Sequence, residues 1–413
     1  MNHQQNSTIL IVGAGQTGGR AALTLRREGF EGRVTLIGNE EYLPYERPPL
    51  SKKILTGKST PQDCQLTQPS DYIDAKIEVV LNQTVKKIHP QESTIEFESG
   101  EKEYYDKLLL ATGGSPRILK TKGSDLSGIR YLRTLNDATK ISENLNPDCK
   151  VLVVGGGFIG LEVAASAITR GCDVTLIEAA PQLMGRAVSK EISNIVEMEH
   201  RRHGVKIKLN SVISKFIGDN KVEGGQLNDD KEIACDITII GIGINPNIGL
   251  AKRAGLLVND GILTNSKLET SEKNIYAAGD VASFEHPLFG KHIRLEAWKN
   301  AEDQATLAAK NMLGANEAIN SIPWFWSDQY EYTLQVAGIP QLGKLTIKRN
   351  IDDKNILFFY LKADGTLIGA SGVGPSGKIG KEVRIAQMLI EKKVQPNLQV
   401  LADPSIRLKS LLQ

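Results

Sequence analysis

The chain has only four cysteines, Cys64, Cys149, Cys172 and Cys235, and no two of them stand at the spacing of a redox or metal motif. This scarcity excludes a Cys-x-x-Cys dithiol shuttle, a cysteine-held iron–sulfur cluster and the disulfide framework of a small secreted domain, and leaves buried reduced thiols as the expectation. A surplus of either charge is missing too. Fifty basic side chains face 48 acidic ones for a net charge of +2, too even a balance for a surface dedicated to nucleic-acid phosphates. Long apolar runs are absent: the longest, residues 151–168, is broken by Glu162 and by three consecutive glycines, well short of the roughly twenty residues that a membrane span requires. The N-terminal residues lack the basic stretch of a secretion signal, so a cytoplasmic protein is expected. Aromatic residues are few, 9 Phe, 10 Tyr and 3 Trp, against 39 Gly. Glycine in excess without a collagen period points to turns that approach a ligand closely.

At 413 residues the chain is long enough for two or three domains, and an internal repeat organises it. Ile9–Val12, Gly13-Ala14-Gly15-Gln16-Thr17-Gly18, a helix through Arg27 and the strand Arg33–Ile37 form one unit. Val151–Val154, Gly155-Gly156-Gly157-Phe158-Ile159-Gly160, a helix to about Arg170 and the strand Asp173–Glu178 form the other. Both follow the plan of a βαβ nucleotide-binding unit: the first glycine permits the tight turn, the second lets backbone amides reach a pyrophosphate, and the third allows the helix to pack closely on the strand. An ordinary glycine turn is the bland alternative for one copy, but two copies between strand and helix imply a flavoprotein that also binds a nicotinamide.

Asn274–Ala282 reads as a short buried strand that delivers Asp280 at a helix start, as a ribityl ligand or as a plain N-cap. Leu108–Gly114 and Ile239–Asn247 read as chain crossings between nucleotide domains. After about Ser321 the texture changes to short alternating strands, Thr333–Val336, Lys344–Lys348, Ile356–Leu361 and Thr366–Ser371, followed by a helix over Lys381–Lys392.

Pro44-Tyr45-Glu46-Arg47-Pro48-Pro49-Leu50-Ser51-Lys52, Pro323-Trp324-Phe325-Trp326-Ser327-Asp328-Gln329 and the Asp403-Pro404-Ser405 tail closely resemble the NADH-dependent ferredoxin reductases of Rieske-type aromatic-ring dioxygenase systems, within the putidaredoxin/rubredoxin-reductase-like FAD family. The resemblance covers nearly the whole chain. It implies an α/β, glutathione-reductase-like fold: a discontinuous FAD domain over residues 1–115 and 245–322, an NAD domain over 116–244 and an α+β C-terminal domain over 323–413.

The same resemblance implies roles residue by residue. Gly13, Ala14, Gly15 and Gly18 would hold the pyrophosphate of tightly bound FAD. Glu40, or Asn39 beside it, would meet the adenosine ribose; relatives usually carry an acid at the position of Asn39, so the chain departs from the pattern there. Arg47 and Arg133 would contact FAD, Val85 would touch the adenine through its backbone, and Asp280 would bind the ribityl chain. Lys52 and Glu162 would be the catalytic pair beside flavin N5, a cation steadying negative charge in the reduced ring and a carboxylate stabilising that cation. Taken alone they read as a solvated lysine and an ordinary helix glutamate. Trp326 and Trp298 would flank the isoalloxazine, although unaided each tryptophan reads as core. Glu296 would sit near the nicotinamide. Gly156, Gly157, Phe158, Ile159 and Gly243 would hold NADH. Glu178 would bind its ribose hydroxyls and repel the phosphate of NADPH, with Arg186 the nearest cation able to blunt that preference.

The resemblance implies hydride transfer from NADH to flavin N5 and single-electron delivery to a small, acidic [2Fe-2S] ferredoxin of Rieske type. A rubredoxin, a cytochrome-P450 ferredoxin or a small molecule is the alternative acceptor, and a redox-responsive binding protein the alternative outside enzymology. An acidic partner would meet a basic face, for which Lys344, Lys348, Arg349, Lys378, Lys381, Arg384, Lys392 and Lys393 are the candidates; a solvated lysine-rich surface is the plainer reading.

Overall fold

The computed structural model describes residues 7–185, 187–375 and 377–412. They form two compact units. The first comprises the chain up to Arg47, then Pro61–Ser115 and Ile244–Ser321; the second comprises Pro48–Thr60, Pro116–Gly243 and residues from Ile322 onward.

The first unit is built on a parallel sheet ordered Ile275–Ala277, Lys107–Leu110, Thr8–Val12, Arg33–Ile37, Ile77–Val80. Its strands read as almost continuous apolar runs because both faces are covered. Leu10 and Val12 join Val85, Ile88, Ile95 and Phe97 of a small antiparallel sheet in one core, while Ile9 and Ile11, also buried, occupy the opposite face of the strand. The helices Gln16–Arg27 and Trp298–Met312 pack against each other.

The second unit repeats the arrangement of four of these strands, while its outermost strand, Ile129–Tyr131, precedes the others in sequence where Ile275–Ala277 follows them. Its parallel sheet runs Lys206–Lys208, Asp173–Ile177, Lys150–Val154, Ile237–Ile240, Ile129–Tyr131. In each sheet the strand that leads into the glycine turn is central, with its βαβ partner on one side and a later strand of its unit on the other, so each turn lies at a topological switch point, the usual ligand crevice of an open α/β sheet.

The second unit also contains an antiparallel five-stranded sheet, Trp324–Gln329, Tyr332–Gly338, Leu367–Pro375, Ile356–Leu361, Leu345–Asn350. The helix Lys378–Glu391 covers it and buries Ile379, Val383, Ala386, Leu389 and Ile390. Arg349 is a correction to the expected basic face: it is buried at 3% exposure. Its guanidinium donates to the carbonyls of Val400, Leu401, Asp403 and Ile406, so it ties down the C-terminal tail instead of facing a partner.

Candidate functional site

In the first unit a side-chain carbon on Gly13, whose φ is +118°, would lie 2.2 Å from the Ala111 carbonyl oxygen, and one on Gly18 would lie 1.9 Å from the Gly13 carbonyl oxygen. Glycine is thus required at both ends of the turn, by steric contact. Gly15 differs, since the nearest atom to such a carbon is Arg47 Nη2 at 3.9 Å. Gly15 caps the helix without a side chain, and the first turn, Gln16-Thr17-Gly18-Gly19, carries no carboxylate. The leading amides of that helix face an approach suited to a phosphate.

Arg47 brings the surroundings of this turn together. It donates to Glu40 Oε1 at 2.8 Å and to the Tyr45 hydroxyl at 2.9 Å, and Tyr45 donates in turn to Glu40 Oε2 at 2.6 Å. Burial works against the guanidinium's charge, but the nearby Tyr45, Glu40 and Asp280 outweigh it and raise its pKa. Glu40 is therefore committed to Arg47 and Tyr45, while Asn39 stands exposed beside it.

Asp280 follows the short buried strand as expected, but in a 3-10 turn and not at the start of an α-helix. The strand Ile275–Ala277 ends, Gly279–Val281 makes a single 3-10 turn, and the chain re-enters a sheet at Ala282. The reason is local. Gly279, with φ +82°, presses on the start of the first helix so closely that a side-chain carbon would lie 2.3 Å from Thr17 Oγ1, and its amide donates to the buried Gln304 Oε1 at 2.7 Å. Arg294, 8% exposed, bridges Asp260 at 3.1 Å, Glu296 at 2.7 Å and the Asp280 carbonyl at 3.3 Å, which ties the exposed Glu296 to the Asp280 turn. Trp298 is half-buried at the start of the helix Trp298–Met312. Val85 is buried in the apolar core. Tyr45 stood inside the quoted proline-rich motif without a role, and Arg294 escaped sequence reading because its partners Asp260 and Asp280 are joined to it only by the fold.

The second unit repeats the turn. A carbon on Gly155, φ +111°, would lie 2.4 Å from the Gly241 carbonyl oxygen and one on Gly160 would lie 2.0 Å from that of Gly155, whereas Gly157 has no atom of the described residues within 4 Å. Gly156 closes on Glu178. Its amide donates to Glu178 Oε2 at 2.6 Å and the Ala180 amide donates to Oε1 at 2.8 Å, so the carboxylate is fixed just beyond the strand Asp173–Ile177 by two charge-assisted bonds. Ile159 is 46% exposed. Gly243, with φ +101°, accepts the Arg117 amide at 2.9 Å. Arg133 is half-buried before the helix Leu135–Ser142. Arg186 lies outside the described residues.

Lys52 and Glu162 meet within the second unit. Pro48-Pro49 leads into a five-residue π-helical turn, Leu50–Ile54, a feature often found at functional positions. That turn places Lys52 Nζ 3.0 Å from Glu162 Oε1. On the helix Phe158–Thr169 the residues Phe158, Glu162 and Ser166 follow one another at intervals of four and share a face. Phe158 packs edge-on against Phe325 at 4.9 Å, Ser166 donates to the Ser51 carbonyl at 2.7 Å, and Glu162, 5% exposed, accepts the hydroxyls of Ser51 at 2.5 Å and Ser327 at 2.6 Å. The strand Trp324–Gln329 has two distinct faces, as the pleat dictates. Phe325, Ser327 and Gln329 turn toward that helix and toward His200, whereas Trp324 and Trp326 stack on the other face at 5.1 Å and Trp326 Nε1 donates to Asp328 at 3.1 Å. Ser327 and Gln329 were both quoted in the motif and given no role: three aromatics followed by three polar residues carry no alternation that would reveal which of them face the helix.

All four cysteines are free, and Cys64, Cys172 and Cys235 are buried, with Cys149 half-buried. Burial pushes the Cys172 thiol up to about 11 and raises Cys149 and Cys235 as well, the condition of inert thiols. No group of the described residues has the side chains to hold a metal ion, and no described helix is long and apolar enough to cross a membrane.

Family comparisons agree with this geometry. Residues 7–305 match the pyridine nucleotide-disulphide oxidoreductase family and residues 324–412 match the reductase C-terminal family. The chain is 35% identical over 403 residues to the ferredoxin–NAD(+) reductase component of the p-cumate 2,3-dioxygenase system of Pseudomonas putida, covering 98% of both chains. It is 39% identical over 344 residues to a rubredoxin–NAD(+) reductase of Pseudomonas putida, with 83% of this chain and 89% of the relative covered. Among solved structures, putidaredoxin reductase in its covalent complex with putidaredoxin superposes with a TM-score of 0.93 at 33% identity, over 99% of this chain and 98% of that one. With its paired glycine turns and its reductase C-terminal region, the chain belongs to the pyridine nucleotide-disulphide oxidoreductase family, alongside ferredoxin–NAD(+) reductases.

Proposed function

We propose that the chain is an FAD-dependent, cytoplasmic NADH:ferredoxin reductase that feeds an aromatic-ring-hydroxylating dioxygenase through a small, acidic [2Fe-2S] ferredoxin of Rieske type. The observation that carries the reading is the pair of turns, each with an obligatory first and third glycine and an open second glycine at an uncapped helix N-terminus. Two dinucleotides in one chain without paired cysteines suit a relay from nicotinamide to flavin to an external acceptor, with no internal disulfide.

The donor sets fit the two groups. Gly13, Ala14, Gly15 and Gly18 would cradle the FAD pyrophosphate, Arg47 would neutralise it, and Asp280 would accept from ribityl hydroxyls. Asn39, exposed where Glu40 is already paired, is the better placed of the two for the ribose. Glu178, held by Gly156 and Ala180, would accept both ribose hydroxyls of NADH and disfavour a 2′-phosphate. When bound, the two cofactors supply hydride and one-electron chemistry. In this reading Trp298 and Trp326 would each flank the flavin ring, and the chain would hold Lys52 as a fixed cation through Glu162, a preorganised charge of the kind that stabilises developing negative charge. Val85, Arg133, Gly157, Phe158, Ile159, Gly243 and Glu296 complete the contacts in this reading.

The test is an absorbance spectrum for bound flavin, followed by NADH-driven cytochrome c reduction with an added [2Fe-2S] ferredoxin. Absence of flavin, or reduction by NADH that takes minutes, would sink the proposal. The rubredoxin reductase among the relatives supports rubredoxin as the second acceptor class, and the same assay with rubredoxin in place of ferredoxin separates the two.

A further inference from the structure

Glu162 does not end at Lys52. Ser327, which donates to Glu162 Oε1, accepts from Gln329 Nε2 at 3.1 Å. Gln329 Oε1 meets His200 Nε2 at 2.8 Å, and His200 Nδ1 meets the Tyr330 hydroxyl at 3.3 Å. Tyr330 is stacked on His203 at 3.7 Å with 5° between the rings. His200, Ser327 and Gln329 are all buried, and the space they line with Glu199, Tyr332 and Leu334 is about 10 Å³, at the lower limit for a single water.

Donors and acceptors along this line permit one consistent polarity. A carboxamide oxygen only accepts, so His200 must carry its proton on Nε2 and present a bare Nδ1 to the Tyr330 hydroxyl. The Gln329 amide then donates to Ser327, whose single proton is free for Glu162 alone. The opposite amide orientation would leave that one proton facing two acceptors. Every bond therefore points from Tyr330 toward the Glu162 anion, an arrangement in which neighbouring bonds polarise one another. Burial, which pushes the His200 imidazole down to about 4, keeps the ring neutral, as the polarity requires.

We propose that Gln329, oriented by His200, is a positioning residue that aims the Ser327 hydroxyl at Glu162 and so fixes the carboxylate that holds Lys52. The inference rests on the reading of Lys52 and Glu162 as the pair that steadies charge in the reduced flavin. Gln329→Met keeps the volume and removes the donor. In the holoenzyme it should lower the limiting rate of reduction by NADH about fivefold with little change in the apparent NADH affinity, and shift the flavin midpoint potential negative. Glu162→Gln should do the same, and the double variant should be no worse than Glu162→Gln alone, because residues that act through one another are not additive. Additive losses, or a Gln329→Met protein with wild-type rate and potential, would overturn the inference. Silence of Glu162→Gln would overturn the reading beneath it as well. Should Gln329→Met fail to retain flavin, Ser327→Ala replaces it in the same cycle. Nitrogen-15 NMR of the imidazole is independent of turnover: a neutral, Nε2-protonated His200 across pH 5 to 8 is expected, and the Nδ1 tautomer would overturn the assignment.

Discussion

A side-chain carbon on Gly160 would lie 2.0 Å from the carbonyl oxygen of Gly155, a separation no folded chain accepts. Gly157, three residues earlier, has open space around it and an extended backbone that any residue tolerates. Gly160→Ala should therefore cost about 3 kcal/mol or more, at the upper end of overpacking penalties. Gly157→Ala should leave thermal stability unchanged or slightly raised. Its effect should fall on NADH, with KM raised tenfold or more and flavin content intact. Melting curves and steady-state kinetics on the two variants check the contrast.

Glu178 is held by two amides at the end of its strand. Glu178→Ser should lower kcat/KM for NADH by about tenfold, the worth of one hydrogen bond to a charged group, and improve NADPH relative to NADH. Initial rates with both nucleotides decide it, and an unchanged ratio would remove Glu178 from nucleotide choice.

Stability should fall in mild acid. Burial lowers His200 from 6.5 to about 4 and lowers His286 in the same direction. Between those two values the unfolded chain binds a proton at His200 that the folded chain does not. Stability is thus fully present above about pH 6.5, declines as pH falls through the window, and loses nothing further from this group below about 4. The shift corresponds to about 3 kcal/mol for His200. Urea midpoints between pH 4 and 7 should show the slope, and His200→Gln should flatten it.

Lys378, Lys381 and Arg384 are exposed at successive turns of the helix Lys378–Glu391. Lys378 is tied to Asp352 at 2.7 Å, so of these three Lys381 and Arg384 are the ones to reverse. The double reversal Lys381→Glu, Arg384→Glu should reduce kcat/KM for ferredoxin about tenfold at low ionic strength and less at high salt. Ferricyanide reduction by NADH should be untouched. Equal ferredoxin rates in variant and parent would clear this helix of a docking role.

Much of the scaffold was legible because its signals are local. The runs Ile9–Val12 and Val151–Val154 are apolar and β-branched, each ends in glycines at fixed spacing, and the strand registers in the two units run in step, from Thr8 opposite Arg33 and from Lys150 opposite Asp173. The strand Ile356–Leu361 stands where its composition puts it. Glu162 was visible as one carboxylate in an otherwise apolar helix. The chain of bonds beyond it was not, since Ser327, Gln329 and His200 lie 129 or more residues from at least one of their partners and only the tertiary fold joins them. The burial of Arg349 was hidden for the same reason: in sequence it is one more cation near Lys344 and Lys348, and only the packing of the tail against its strand turns it inward.

The strand Trp324–Gln329 lies at the edge of its sheet and pairs with a neighbour on one side alone. Its two faces serve different ends, stacked indoles on one and the Ser327–Gln329 bonds on the other. Adding or deleting a single residue within it would exchange those faces wholesale, sending Trp326 into the helix that carries Glu162 and Ser327 away from it. Homologous sequences should then differ here by substitution and almost never by length.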